Sequence, residues 1–277
     1  MSTSPQKSLS PAGIEVVRLQ PNIGAEIYGL DLGGPLTQEL RDTILDLLFQ
    51  HQVLFFRDQP VDSEHQQALG RLFGELGTDS TDGVNEVQVL QTGRYYGTQW
   101  HADATYREQP FFISILRSII APDIGGDTVF ASGVSAYRQL PDDIKARIAD
   151  LDAFHRPHYK AHLLIKGEEE RQRYLEDFPG TRHPVVTSHP YTGEKVLYVN
   201  ATFTQEILGL AENESESLLS YLTSQFSKPE HQVRFKWRPG SIAIWDNRAV
   251  QHYGVPDYGT APRHLERVVV KGDRPVR

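Results

Sequence analysis

Three clusters in this sequence carry residues that could do chemistry. The first is Trp100-His101-Ala102-Asp103. On an extended segment, residues two apart point to the same side. His101 and Asp103 can therefore offer an imidazole nitrogen and a carboxylate oxygen to one metal ion. The second is Trp245-Asp246-Asn247-Arg248-Ala249-Val250-Gln251-His252, which follows the Pro239–Gly240 turn and the apolar run Ser241–Trp245. His252 lies over half the chain beyond Asp103, a separation that a β-barrel can close. Two histidines and one carboxylate on one face of a metal leave the opposite positions open, as oxygen chemistry at Fe(II) requires. The third cluster is Arg263 and Arg267. Four residues apart, they share a face on a helix or both project inward from one strand. Their planar forks suit a carboxylate or sulfonate bidentately.

These clusters need a rigid frame, and the composition supplies one. The 277 residues are 39% hydrophobic and 23% charged, ordinary for a globular chain of one domain. The formal net charge of −8 argues against a nucleic-acid partner, yet a local pair of arginines still makes an anion pocket. There is no cysteine, which excludes disulfides, cysteine-zinc sites, iron–sulfur clusters and thiol nucleophiles. Met1 to Pro11 is polar and rich in Ser and Pro, and no apolar run of about 20 residues occurs anywhere. The expectation is a soluble, cytoplasmic protein without membrane partners, with a flexible tail over 1–12 and a single domain over 13–277.

The patterning predicts short strands around Pro21–Gly24, a helix from Thr37 to His51 capped by Thr37, and a buried strand over Val53–Phe56. Ser63 to Phe73 returns to helical spacing and closes at Gly74. Phe111–Ile120, Asp127–Ala131, Val196–Asn200, Val233–Trp237, Ser241–Trp245 and Leu265–Val270 read as strands, and Ser135–Leu151 and Glu214–Phe226 as helical. Residues 155–187 are irregular and charged, and read as a lid or insertion. Many short strands with few helices predict a mainly β fold with flanking helices, a double-sheet jelly roll.

Taken in order, the motifs resemble the TauD/TfdA family of Fe(II)/2-oxoglutarate dioxygenases. The resemblance runs from Asn22-Ile-Gly-Ala-Glu-Ile-Tyr-Gly-Leu-Asp31 through Gln52-Val-Leu-Phe-Phe-Arg-Asp-Gln59, Arg71-Leu-Phe-Gly-Glu-Leu76 and Trp100-His-Ala-Asp103. It continues through Gly125-Gly-Asp-Thr128, His183-Pro-Val-Val186, Tyr198-Val-Asn200, Ile244-Trp-Asp-Asn-Arg248 and Gln251-His-Tyr253 to the segment from Arg263 to Asp273. It implies a double-stranded β-helix (jelly roll, cupin-like) core and a homo-oligomer, dimer or tetramer. It implies Fe(II) as cofactor on His101, Asp103 and His252, with 2-oxoglutarate and O2 as co-substrates. Arg263 and Thr128 match the residues that receive the far carboxylate of 2-oxoglutarate. Arg267 matches an arginine that reaches the substrate's anionic head in sulfonate-oxidising relatives, and stands near the co-substrate as well. A carboxylate at Asp103 favours hydroxylation or desaturation over halogenation. No catalytic group beyond the metal centre is implied.

The sequence departs from the taurine enzymes at two positions. Gly77 stands where they carry a histidine, and Pro157 where they carry an aromatic after the residue matched by His155. Tyr106 and Phe203 are retained, and Tyr95 and Tyr96 are further candidates for the pocket wall. The resemblance thus implies an aromatic-walled pocket without the full sulfonate clamp, and argues against taurine. The expected substrate is a small anionic molecule, a sulfonate or alkyl sulfate. A phenoxyalkanoate or another carboxylate, or a natural-product intermediate, is the alternative. Two rival readings are a zinc hydrolase on the same ligands and an inactive scaffold. The first lacks an obvious general base and leaves Arg263 and Thr128 unexplained, while the second predicts lost ligands.

Overall fold

A computed structural model of the chain describes residues 7–9, 13–78, 86–92, 97–157 and 167–277. Two β-sheets face each other across an apolar core. The larger runs Lys7–Leu9, Glu15–Arg18, Ala25–Tyr28, Val53–Phe56, Ile242–Asp246, Phe111–Ile120, His264–Lys271 and Leu76–Gly77, with Gln88–Gln91 also paired to His264–Lys271. The smaller runs Gln232–Phe235, Thr128–Ser132, Val250–Gly254. Among the described residues every pairing in these sheets is antiparallel except the parallel pair of Ala25–Tyr28 with Val53–Phe56. This is the double-stranded β-helix, mainly β with helices outside.

The central strands are buried on both faces, which is why they read as continuous apolar runs. One face of Val53–Phe56 and Ile242–Asp246 sends Val53, Phe55, Ala243 and Trp245 against Phe130, Val233, Phe235 and Val250 of the smaller sheet. Phe55 stacks on Phe235 at 4.1 Å between centroids, and Phe130 meets Trp245 edge-on at 5.4 Å. The opposite face sends Leu54, Phe56, Ile242 and Ile244 against two helices, Gln38–His51 and Ser63–Phe73, through Ile44, Leu48, Leu69 and Phe73. Thr37 caps the first of these, its hydroxyl accepting from the Leu40 N–H at 3.1 Å.

A third apolar cluster packs helices against further strands, through Leu140, Ile148, Val186 and Leu197. The predicted helical stretch from Ser135 divides into Gly133–Arg138 and Asp142–Ile148, either side of Pro141, as a mid-stretch proline requires. The described residues of the irregular stretch include regular elements. Asp152–His155 pairs with both Thr181–Pro184 and Thr204–Ile207, and a helix spans Glu168–Asp177 between them. Among the described residues no helix is long and apolar enough to cross a membrane.

Candidate metal centre

The register of the sheets brings the two distant histidines together. His101 and His252 form an isolated antiparallel bridge, each backbone N–H donating to the other's carbonyl at 3.2 and 2.8 Å. Such a pair places both side chains on the same face of the ladder. Their rings lie 4.1 Å apart. Asp103 Oδ1 sits 3.7 Å from Nε2 of each histidine. One ligand atom from each of the three residues lies within 4.8 Å of the others, and all three side chains are buried.

The surrounding residues fix which atoms point inward. His101 Nδ1 is 2.8 Å from the Gln99 carbonyl. A hydrogen bond there puts the proton on Nδ1 and leaves the Nε2 lone pair for a metal. Gly97 is required beside it, because a Cβ there would stand 2.7 Å from His101 Cε1. His252 is held by ring packing against Trp245 (4.9 Å) and Phe130 (6.2 Å). Its Nδ1 is buried without a hydrogen-bond partner among the described residues. Burial, then the neighbouring His101 imidazole, holds the His252 pKa well below the ordinary histidine value, so this ring is neutral near pH 7.

Asp103 is held from both oxygens. Ser114 Oγ donates to Oδ2 at 2.9 Å and Asn247 Nδ2 reaches the same oxygen at 3.4 Å. Asn247 is itself fixed, its Oδ1 accepting from the Trp245 indole N–H at 3.0 Å. Arg267 donates a hydrogen bond to Asp103 Oδ1. Burial alone would raise the Asp103 pKa, but the Arg267 charge, the two imidazoles and the Ser114 hydroxyl hold it well below the usual carboxylate range. Arg267 is the largest of these lowering influences. Two imidazoles and a carboxylate held in its charged form, all aimed at one point, fit a divalent transition metal.

The remaining expected residues distribute around this centre. Arg267 faces inward with Leu265 from the strand His264–Lys271, whereas Arg263 lies just ahead of that strand. Arg263 Nε donates to the Gly126 carbonyl at 3.2 Å, and its guanidinium lies 5.4 Å from the Tyr258 ring. Thr128 is two residues on from Gly126, on the strand that pairs with His252, and accepts from the Trp237 indole N–H at 2.9 Å. Period-two alternation puts Thr128 on the same inner face as Phe130, which pairs with His252. Phe203 meets His101 edge-on at 6.1 Å, and Tyr106 meets Phe203 at 5.1 Å. Tyr95 and Tyr96 lie outside the described residues.

Several site residues were not foreseen. The helix Glu168–Asp177 and its C-cap bring Tyr174 and Phe178 onto Tyr106, with a hydroxyl–hydroxyl hydrogen bond of 3.0 Å from Tyr174 to Tyr106 and rings 5.5 Å apart for Phe178. Their four-residue spacing in a charged segment was the available signal. Arg107 backs this wall, 4.6 Å from the Phe178 ring. Gly77 has a steric reason as well: a Cβ there would stand 2.4 Å from Phe111 Cε1. Phe111 fills the space that a side chain at 77 would need. Arg248, within the second motif, faces away from the centre, bonded to Asp246 and 3.8 Å over the Phe112 ring.

Comparison with known proteins agrees with this geometry. The family described as "Taurine catabolism dioxygenase TauD, TfdA family" matches residues 15–269. An alpha-ketoglutarate-dependent sulfate ester dioxygenase of Pseudomonas putida is 36% identical, covering 95% of this chain and 91% of its own. An alkylsulfatase of Acinetobacter baylyi is 34% identical, covering 94% and 86%. The crystal structure of a taurine dioxygenase from Burkholderia xenovorans superposes with a TM-score of 0.82 at 35% identity, over 95% and 92% of the two chains. This chain belongs to the TauD/TfdA family and is a 2-oxoglutarate-dependent dioxygenase.

Proposed function

We propose that His101, Asp103 and His252 hold Fe(II), that Arg263 and Thr128 receive the far carboxylate of 2-oxoglutarate, and that the oxidised substrate is an organic sulfate ester or a related sulfonate. The observation that carries the reading is the buried triad of two imidazoles and a carboxylate whose ligand atoms converge on one point. Bound iron supplies the oxidation: one atom of O2 goes into succinate, formed with CO2 from 2-oxoglutarate, and the other into a substrate C–H bond.

The protein's own groups orient both molecules. Arg263, bonded to the Gly126 carbonyl, offers a fork to a carboxylate, and Thr128, two residues on from Gly126, offers a hydroxyl. Arg267, buried against Asp103, puts a second positive charge at the reacting centre. Phe203, Tyr106 and Phe178 form an apolar wall leading away from His101. An anionic head near Arg267 with an apolar body along this wall is the shape of an alkyl sulfate. The names of the two relatives above support the same class. Hydroxylation at the carbon bearing the sulfate gives an unstable product, which breaks its C–O bond to release sulfate and an aldehyde. Cytoplasmic location, a one-domain chain with a lid over 155–187 and assembly as a dimer or tetramer are part of the same proposal, carried by the sequence alone.

Hexyl sulfate, phenoxyacetate and taurine, each with Fe(II), ascorbate and 2-oxoglutarate, separate the substrate classes. Hexyl sulfate is expected to release sulfate and succinate in equal amounts. Succinate with phenoxyacetate and none with hexyl sulfate would overturn the substrate while leaving the metal centre intact.

A further inference from the structure

The residues just beyond the metal motif are gripped from both sides. Ala104 is buried and adopts φ +55°, the left-handed region that a residue with a Cβ avoids. Such a conformation persists only where its neighbours enforce it. On one side the Asp103 N–H donates to Asn247 Oδ1 at 3.3 Å. On the other the Thr105 hydroxyl accepts from Asn200 Nδ2 at 2.9 Å and lies 3.0 Å from His155 Nδ1.

The Asn200 amide joins two walls of the site. Its Oδ1 accepts from the backbone N–H groups of Thr202 at 3.1 Å and Phe203 at 2.7 Å. That fixes the amide's orientation and turns Nδ2 toward Thr105. One side chain thus links the loop that follows Asp103 to the loop that presents Phe203 against His101. His155 arrives from a different sheet, the strand Asp152–His155, and is fully buried. Thr105, Asn200 and His155 all lie behind the motif, and none of them is among the metal ligands.

We propose that Thr105, gripped by Asn200 and His155, is a positioning residue that keeps Ala104 left-handed, aims the Asp103 carboxylate at the two histidines and ties that aim to the Phe203 loop. The proposal rests on the reading of His101, Asp103 and His252 as metal ligands.

Mn(II) binding to the metal-free protein tests it, at a temperature below the thermal transition of every variant. Thr105→Val keeps the shape and removes both the donor and the acceptor. Its Mn(II) Kd is expected to weaken about tenfold, the lower end of what losing an outer partner of a metal ligand costs. Thr105→Ser restores the hydroxyl and is expected to bind Mn(II) as the wild type does. A merely structural threonine would lower the melting temperature and leave Mn(II) affinity alone. Asn200→Ala carries the same test should the valine variant fail to fold, and should also raise the KM for the primary substrate by freeing Phe203. Unchanged Mn(II) affinity in Thr105→Val, or no recovery in Thr105→Ser, overturns the positioning role. A wild type that takes no Mn(II) overturns the ligand assignment, and the positioning role with it.

Discussion

Asp103 shows how a buried charge is made useful. Its carboxylate is 3% exposed and would be protonated more readily if burial acted alone. Arg267, the imidazoles and Ser114 reverse that. The oxygen proposed to bind the metal is therefore charged before any cation arrives, and both histidines keep a nitrogen 3.7 Å from it. Arg263 is the residue proposed to do the matching work for the co-substrate. Burial lowers its pKa, against the opposing pull of Tyr258 and Asp127, yet an arginine stays protonated in water-accessible pH ranges. Arg263→Ala is expected to raise the 2-oxoglutarate concentration for half-maximal turnover by about 10- to 100-fold, the size of a lost charge-assisted hydrogen bond. Mn(II) affinity should not change. An unchanged co-substrate requirement would show that another group receives the carboxylate. At this scale His101 and Asp103 were legible as a candidate pair because their spacing puts both on one side of an extended segment, whereas His252 joined them only through the family resemblance. Asn247, Ser114 and Asn200 were not, because a polar side chain's partner across the fold leaves no local pattern.

The elements were legible where one face or both are apolar. Val53–Phe56 and Phe111–Ile120 announce buried strands, and Thr37 announces a helix start. The sheet formed by Asp152–His155, Thr181–Pro184 and Thr204–Ile207 was hidden, because the segments DAFH, TRHP and TQEI carry few apolar residues and mix polar with buried positions. The helix Glu168–Asp177 was hidden by its charges, although it delivers Tyr174 and leads into Phe178. Phe178 packs on Tyr106, which in turn packs on Phe203, and is not part of the His101, Asp103 and His252 cluster. Phe178→Ala should therefore raise the KM for the primary substrate several-fold and leave that for 2-oxoglutarate unchanged. A matching rise in both would mean that the helix supports the whole centre and not the substrate wall.

Across the whole molecule, several histidines are buried and neutral. The pKa of His155 is held well below its ordinary value by burial, then by His183, and those of His183 and His231 are lowered too. The unfolded chain then binds more protons than the folded one below about pH 6.5, so stability falls as the pH drops through that point. Each such histidine steepens the fall by up to about 1.4 kcal/mol per pH unit. The depressed carboxylates Asp103 and Asp246 act the same way only near and below their ordinary value of 3.8. Melting temperature should accordingly decline from pH 7.5 to 5.5, and His155→Gln should decline less steeply. Parallel slopes would mean that His155 is not neutral in the folded state. The two-sheet architecture was legible as a class, since many short strands with alternating turns admit few other solutions. The pairing of His101 with His252 was not, because register is set by the whole sheet and not by either strand.

The central claim is that this triad holds the iron that drives 2-oxoglutarate turnover. Succinate release by the wild type and by His101→Ala, assayed side by side with Fe(II), ascorbate and 2-oxoglutarate, tests it most directly. The wild type should release succinate only when Fe(II) is present, and His101→Ala should fall to background while keeping its fold by circular dichroism. Turnover by His101→Ala at the wild-type rate would contradict the assignment.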